Sequence, residues 1–162
     1  MKHSDKEIAI ISYLQWNLKK DALVDLPCYS SSAIQERIRD ICNTWGSTQE
    51  DLEIVKILAP LTDNPNAPDK DGFTPINLAA KNGYTEIVKM FAPLTNNPNA
   101  PDKDGKTPIH WAAENGHTEI IKILAPLIDN PNAPDKDGKT PIELAKNAEV
   151  AEILTSTNVL RK

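Results

Sequence analysis

Apolar positions in this chain come in short bursts at helical spacing, separated by polar stretches that carry proline and glycine. Ile109, Ala112 and Ala113 line one side of a short segment. Ile120, Ile121, Ile123 and Leu124 follow after the Asn115-Gly116 break. Spacings of three and four residues put each burst on one face of an α-helix. Thr107 predicts the N-cap of the first helix and Pro108 its N1 position, where a missing N–H costs nothing. Asn115-Gly116 ends it. The second helix begins near Thr118 and is predicted to end or kink at Pro126, which has no donor and clashes with the preceding turn. Asp104-Gly105, ahead of the pair, is a turn signal, since glycine takes positive φ without steric cost. Residues 130–137, with two prolines, read as an extended loop.

The same pattern returns at a fixed distance. Residues 64–96 and 97–129 are identical at 23 of 33 positions, and the register resumes at Asn130. Gly72, Gly105 and Gly138 lie 33 apart, as do Thr74-Pro75, Thr107-Pro108 and Thr140-Pro141. Of 13 prolines, all but Pro27 fall into columns at this spacing, such as Pro60, Pro93 and Pro126. Proline at fixed phase among periodic apolar residues punctuates regular structure, whereas unphased proline signals disorder. Units of this kind stack on one another, so function is sought on the stacked surface.

The run Asp-Gly-Lys-Thr-Pro-Ile-His-Trp-Ala-Ala-Glu-Asn-Gly-His-Thr-Glu-Ile-Ile-Lys-Ile-Leu at 104–124 resembles the ankyrin repeat. The resemblance covers about 64–162. It implies an all-α solenoid, each 33-residue unit being a β-turn finger followed by two antiparallel helices. On this reading 64–96 and 97–129 are repeats, 130–162 is a C-terminal capping repeat and 31–63 is a divergent unit. Residues 1–30 form an extra N-terminal capping helix and linker. The chain departs from the family after the second helix, where Thr62-Asp63-Asn64-Pro65-Asn66-Ala67 lacks the usual glycine. Asn64, Asn97 or Asn130 is therefore expected to take over the helix exit.

Both ends of the array differ from its middle. The second alanine of the first helix, Ala80 and Ala113, becomes Lys146, and the glycine after it becomes Glu149. A terminal unit has no neighbour to cover it, so these charges are expected to end the stack. In the N-terminal third, capping boxes can be read at Ser4…Glu7, Ser32…Gln35 and Ser47…Glu50. The third opens residues 50–61, which match the second helices. The first helix of that unit is expected from about Ala33, with Ile34, Ile38 and Ile41 on one face. A helix from about Asp5, with Ile8, Ile11, Leu14 and Leu18, is read as covering the open end. Its wide apolar face, to which Ile10, Tyr13 and Trp16 add, also suits dimerisation or a partner.

Charge and composition narrow the function. The chain has 162 residues, 18 basic against 23 acidic, and a net charge of −5 with no basic run. That argues against nucleic acid and against a polybasic membrane contact. No apolar stretch approaches the ~20 residues that span a bilayer, and the N-terminus lacks the signal-peptide pattern. Cys28 and Cys42 make no disulfide framework. A soluble, intracellular protein is expected, with the cytoplasm as its default location. No metal-ligand, nucleophile or phosphate-loop motif occurs, so no catalytic residue, metal or cofactor is expected.

The individual candidates are few. The resemblance makes His110 a structural partner of the Thr107 hydroxyl, with Asn77 and Glu143 at the matching positions. His117, matched by Tyr84 and Val150, suggests packing. Asn66, Asn99 and Asn132 sit where the family can present an asparagine to an asparaginyl hydroxylase, but the preceding prolines depart from its pattern. Trp111 replaces Leu78 and Leu144, and either anchors an interface or fills the contact between units. Phe73 takes the finger position of Lys106 and Lys139, at an exposed rim by resemblance. It is either a binding hot spot or packs on Tyr84 or the preceding unit. The tips, Asp69–Gly72, Asp102–Gly105 and Asp135–Gly138, present alternating carboxylates and ammonium groups, as a solvated turn or a stripe that steers a partner. The expected function is non-catalytic protein–protein recognition through the concave face of fingers and first helices. Its expected contacts are Lys70, Asp71, Phe73, Lys81, Lys103, Asp104, Lys106, Trp111, Glu114, Lys136, Asp137 and Lys139. A self-assembling homo-oligomer, natural or engineered, and a regulatory domain of a larger protein are the alternatives.

Overall fold

The computed structural model describes residues 31–45 and 48–159. The expected N-terminal helix and linker, with the Ser4…Glu7 box, lie outside the described residues. Among the described residues there are eight α-helices and no strand. They are α1 (Ser31–Asp40), which runs into a π-helical turn (Ile41–Trp45), α2 (Gln49–Leu58), α3 (Pro75–Asn82) and α4 (Thr85–Phe91). Then follow α5 (Pro108–Asn115), α6 (Thr118–Leu124), α7 (Pro141–Leu144) and α8 (Ala148–Val159). The odd-numbered helices stack on one another in one layer and the even-numbered helices in a second. The core runs unbroken between the layers, through Ile38, Val55, Ile76, Val88, Phe91, Ile109, Ile121, Leu124 and Leu154. Ala79, Ala80, Ala112 and Ala113 are fully buried where α3 and α5 meet, because only a methyl group fits between such close helices.

The starts of the first helices are as the sequence predicts. Thr74, Thr107 and Thr140 are extended N-caps with proline at N1. The ends of α3 and α5 also follow, with Gly83 and Gly116 left-handed at φ 82° and 79°. The second helices begin at Thr85 and Thr118, next to Tyr84 and His117 at the N-cap.

Four expectations are corrected. The second helices do not exit through asparagine. They tighten into 3₁₀ turns at Ala59–Leu61, Ala92–Leu94 and Ala125–Leu127, and leave through extended Thr62, Thr95 and Ile128. Proline sits at the start of each turn, where its missing donor is not needed. The asparagines act later, with Asn97 Oδ1 accepting from Asn99 N–H at 3.1 Å and Asn130 Oδ1 from Asn132 N–H at 3.2 Å. The capping box of α2 lies at Thr48 and Asp51, one residue beyond the expected Ser47…Glu50. Helix α1 has already begun at Ser31, so Gln35 does not close a box with Ser32. Its amide instead reaches Thr62 Oγ1 and the Asn64 carbonyl, both at 3.1 Å. Finally, α7 stops at Leu144, after four residues, where Ala145 turns to ψ 119°. Lys146 therefore lies past that helix, its N–H donating to the Ala113 carbonyl at 3.0 Å.

The first helix-pair also differs from the rest. Residues 36–40, one period before the first finger, belong to α1. Side chains of α1 reach the segment that follows α2. Arg39 donates to the Ala67 carbonyl at 3.3 Å and Ser31 to Thr62 Oγ1 at 3.0 Å.

Candidate protein-docking face

Each finger is closed by one carboxylate. Asp102 Oδ1 accepts from the N–H groups of Asp104 and Lys106 at 2.9 and 3.0 Å, and Asp102 N–H donates to the Lys106 carbonyl at 3.0 Å. Asp69 and Asp135 repeat the arrangement. Burial pushes the Asp135 carboxyl up, but the N–H groups of Lys139 and Asp137 more than offset this and hold it below the usual carboxylate value. The first aspartate of each tip is thus spent inside the turn. Asp71, Asp104 and Asp137 are exposed beside Lys70, Lys103 and Lys136, so each tip shows one ammonium group and one carboxylate to solvent.

Successive fingers are tied through their backbones. Lys103 N–H donates to the Asp71 carbonyl at 3.1 Å and Lys136 N–H to the Asp104 carbonyl at 3.0 Å. The approach leaves no room for a side chain at the intervening glycine. A Cβ on Gly72 or Gly105 would lie 2.9 Å from the backbone nitrogen of Lys103 or Lys136, whereas one on Gly138 would meet nothing within 4 Å.

Behind the fingers, the third residue of α3 and of α5 does double duty. His110 Nδ1 accepts from Thr107 N–H at 3.1 Å, so its Nε2–H is left to donate to the Lys139 carbonyl at 3.3 Å. The structural role that the resemblance assigned to His110 is present, together with a link to the next finger that the sequence did not reveal. Burial holds its pKa below the ordinary imidazole value, the bond to Lys139 opposing. Asn77 does the same, donating to the carbonyls of Ala100 and Lys106 at 3.3 and 3.4 Å. Glu143 accepts from the N–H and hydroxyl of Thr140 at 2.8 and 2.9 Å and, as a carboxylate, has nothing to donate onward. A signal for this link did exist: Asn77 and Lys106, and His110 and Lys139, stand the same 29 positions apart.

Phe73 and Trp111 meet across the junction of two units, with ring centroids 5.5 Å apart and planes tilted by 39°. Phe73 therefore packs on the following unit, which corrects the alternative of Tyr84 or the preceding unit. Both rings are only half-buried, so Trp111 fills the inter-unit contact and still presents a surface. Its Nε1–H donates to Asp102 Oδ2 at 3.0 Å. Two ammonium groups lie over its ring, Lys106 Nζ at 4.6 Å and Lys81 Nζ at 4.9 Å from the centroid. Lys81 also lies 5.7 Å from the Phe73 centroid. Lys106 is paired with Glu114 at 2.8 Å. A cation against an indole face gains about 0.5–2 kcal/mol, more when water is excluded.

Phe73, Lys81, Lys106, Trp111 and Glu114 thus form one cluster. Along the finger row, Lys103 pairs with Asp71 at 3.5 Å and Lys136 Nζ donates to the Lys103 carbonyl. The side chains of Lys70, Asp104, Asp137 and Lys139 are exposed and stand apart from the cluster. His117 packs over Gly83, its Nε2 3.2 Å from the Lys81 carbonyl, in line with a packing role. Asn66 and Asn132 turn their Oδ1 atoms to the N–H groups of Ile76 and Ile142, each at 3.1 Å, whereas Asn99 Oδ1 is buried with no partner. Cys42 is a free, buried thiol, and burial pushes its pKa well up. Among the described residues no group of three or more His, Cys, Asp or Glu side chains could hold a metal ion. Among them, too, no helix is long and apolar enough to cross a membrane.

The family model described as ankyrin repeats matches residues 45–132 and 94–161, with three copies. No curated protein matches the chain significantly. The matched spans take in every finger and all the helices after α1, and on that ground the chain belongs to the ankyrin-repeat family.

Proposed function

We propose that the fingers and first helices form a docking face for a protein partner, and that the chain acts by binding and not by catalysis. Ankyrin repeats are generally protein–protein interaction modules. One observation carries the assignment to this face. The repeats at 64–96 and 97–129 are nearly the same sequence, yet Phe73, Lys81, Lys106, Trp111 and Glu114 all stand at positions where they differ. Three of the ten differing positions thus meet in one cluster at the junction of the two units. A rigid stack holds such side chains in place before the partner arrives, so little conformational entropy is lost on binding. The exposed tips, Lys70, Asp71, Lys103, Asp104, Lys136 and Asp137, with Lys139 beside them, form the polar rim of the face. A cytoplasmic setting goes with this reading, since ankyrin repeats are commonly intracellular.

The test is a pull-down from the source cell with the wild type and a Phe73→Ala, Trp111→Ala double variant of matched helicity. Loss of partners in the variant is expected. Retention of the same partners would place the docking face elsewhere. A second reading, a homo-oligomeric scaffold, draws on a separate feature. Leu94 and Leu127 are 53% and 52% exposed, 33 residues apart, each following an exposed proline. Light scattering at two concentrations decides it: a mass that stays monomeric excludes self-assembly.

A further inference from the structure

We infer that this face takes an acidic protein segment, which sets a carboxylate against Lys81 and an apolar side chain against Phe73 and Trp111. The inference rests on the docking reading above and adds the chemistry of the partner.

The charges of the face are mostly settled within it. Asp69, Asp102 and Asp135 serve their own turns, Glu114 neutralises Lys106 and Glu143 is held by Thr140. Asp71 is matched by Lys103. Lys70, Lys81, Lys136 and Lys139 have no carboxylate within ion-pair distance among the described residues, and of these Lys81 alone stands in the cluster with Phe73 and Trp111. Lys81 is moreover held in place, since its ammonium lies over two aromatic rings. Cation–π contact orients this group but leaves its charge without a counter-ion. The free carboxylates, Asp104 and Asp137, are confined to the tips. The rim mixes both signs, whereas the wall behind it sets the unpaired Lys81 ammonium beside two aromatic rings. A segment lying on the wall completes the site if it brings a carboxylate and an apolar side chain side by side.

A single-stranded nucleic acid also offers anionic groups and stacking rings. It is disfavoured because the few unpaired ammonium groups of the face are interspersed with the tip carboxylates, while the protein's net charge of −5 repels a polyanion.

The probe is an array of random-sequence peptides screened with the full chain, with a single-stranded oligothymidylate as comparison. Bound peptides are expected to be enriched in Asp or Glu beside Leu, Phe or Trp. A selected peptide should move the Trp111 indole N–H resonance, assigned by its loss in Trp111→Phe. Lys81→Glu is expected to weaken that peptide about tenfold, the size of one partly desolvated charge pair, while Lys81→Arg retains it. Enrichment in Lys or Arg, no enrichment, or movement of the Trp111 resonance only by the oligonucleotide overturns the acidic-segment inference. If basic peptides bind and Phe73→Ala with Trp111→Ala abolishes it, the partner chemistry falls and the docking face stands. If acidic peptides bind equally well without either ring, the docking face falls too.

Discussion

His110 joins a helix start, a histidine ring and the neighbouring finger in a single hydrogen-bonded chain, and that chain needs the neutral imidazole. Its Nδ1 must accept from Thr107, so a proton there breaks the link. Because its folded pKa lies below the ordinary 6.5, the unfolded chain takes up the proton first. The His110 contribution is therefore fully present above about pH 6.5 and is lost as pH falls from there toward the lowered folded value. We expect urea midpoints to fall between pH 7 and pH 5 in the wild type and to stay flatter in His110→Asn. That variant copies Asn77, which makes the same link without titrating in this range; an unchanged pH slope would contradict the assignment. Asp135 and Glu143 act in the same sense further down. Both are held below their ordinary values, so their share is lost only as pH falls through the depressed range. The finger glycines offer a second residue-scale test. Gly105 and Gly138 share φ 79°, but only Gly105 has a neighbouring backbone 2.9 Å from the place of a Cβ. Gly138→Ala should cost about 1–2 kcal/mol, the left-handed penalty alone. Gly105→Ala should cost clearly more by chemical denaturation, and equal losses would mean that the fingers can part cheaply.

At the scale of elements, Asn66 and Asn132 act as a second cap on the first helices that follow them. Asn66→Ala leaves the Ile76 N–H without its acceptor and should cost about 1–2 kcal/mol. Asn99→Ala removes an oxygen that is buried and unpartnered, so its cost should be smaller; the reverse order in thermal melts would refute this account. Elements of this kind also show what could be read from residues alone. Thr-Pro and Asn-Gly locate the first helices because capping and left-handed glycine are decided within a few residues. The 3₁₀ exits were not legible, since Ala-Pro-Leu is compatible with either a kink or a stop until the next unit packs against it. The helix over residues 36–40 was legible, because Ile34, Ile38 and Ile41 share one face and all three are buried in the core. In the site, the finger position of Phe73 was visible from the period, and the family resemblance implied its place at the rim. Its contact with Trp111 was not, because it depends on how two units stack and not on either one.

Along the stack, cohesion is passed from neighbour to neighbour, and among the described residues α3 to α6 are covered on both sides and α7 and α8 on one. Amide hydrogen exchange should accordingly be slowest in α3–α6 and faster in α7 and α8, by an order of magnitude or more. Uniform protection would indicate a single cooperative unit with no gradient along the stack. The finger ladder sets one further property of the assembly. Its rungs, Lys103 to Asp71 and Lys136 to Asp104, are made only of main-chain atoms. The residues that display side chains on those rungs, Lys70, Phe73, Lys103, Lys106, Lys136 and Lys139, can thus be exchanged without cutting the ladder. A lineage that duplicates a unit inherits its architecture intact and can rewrite what that unit recognises one codon at a time.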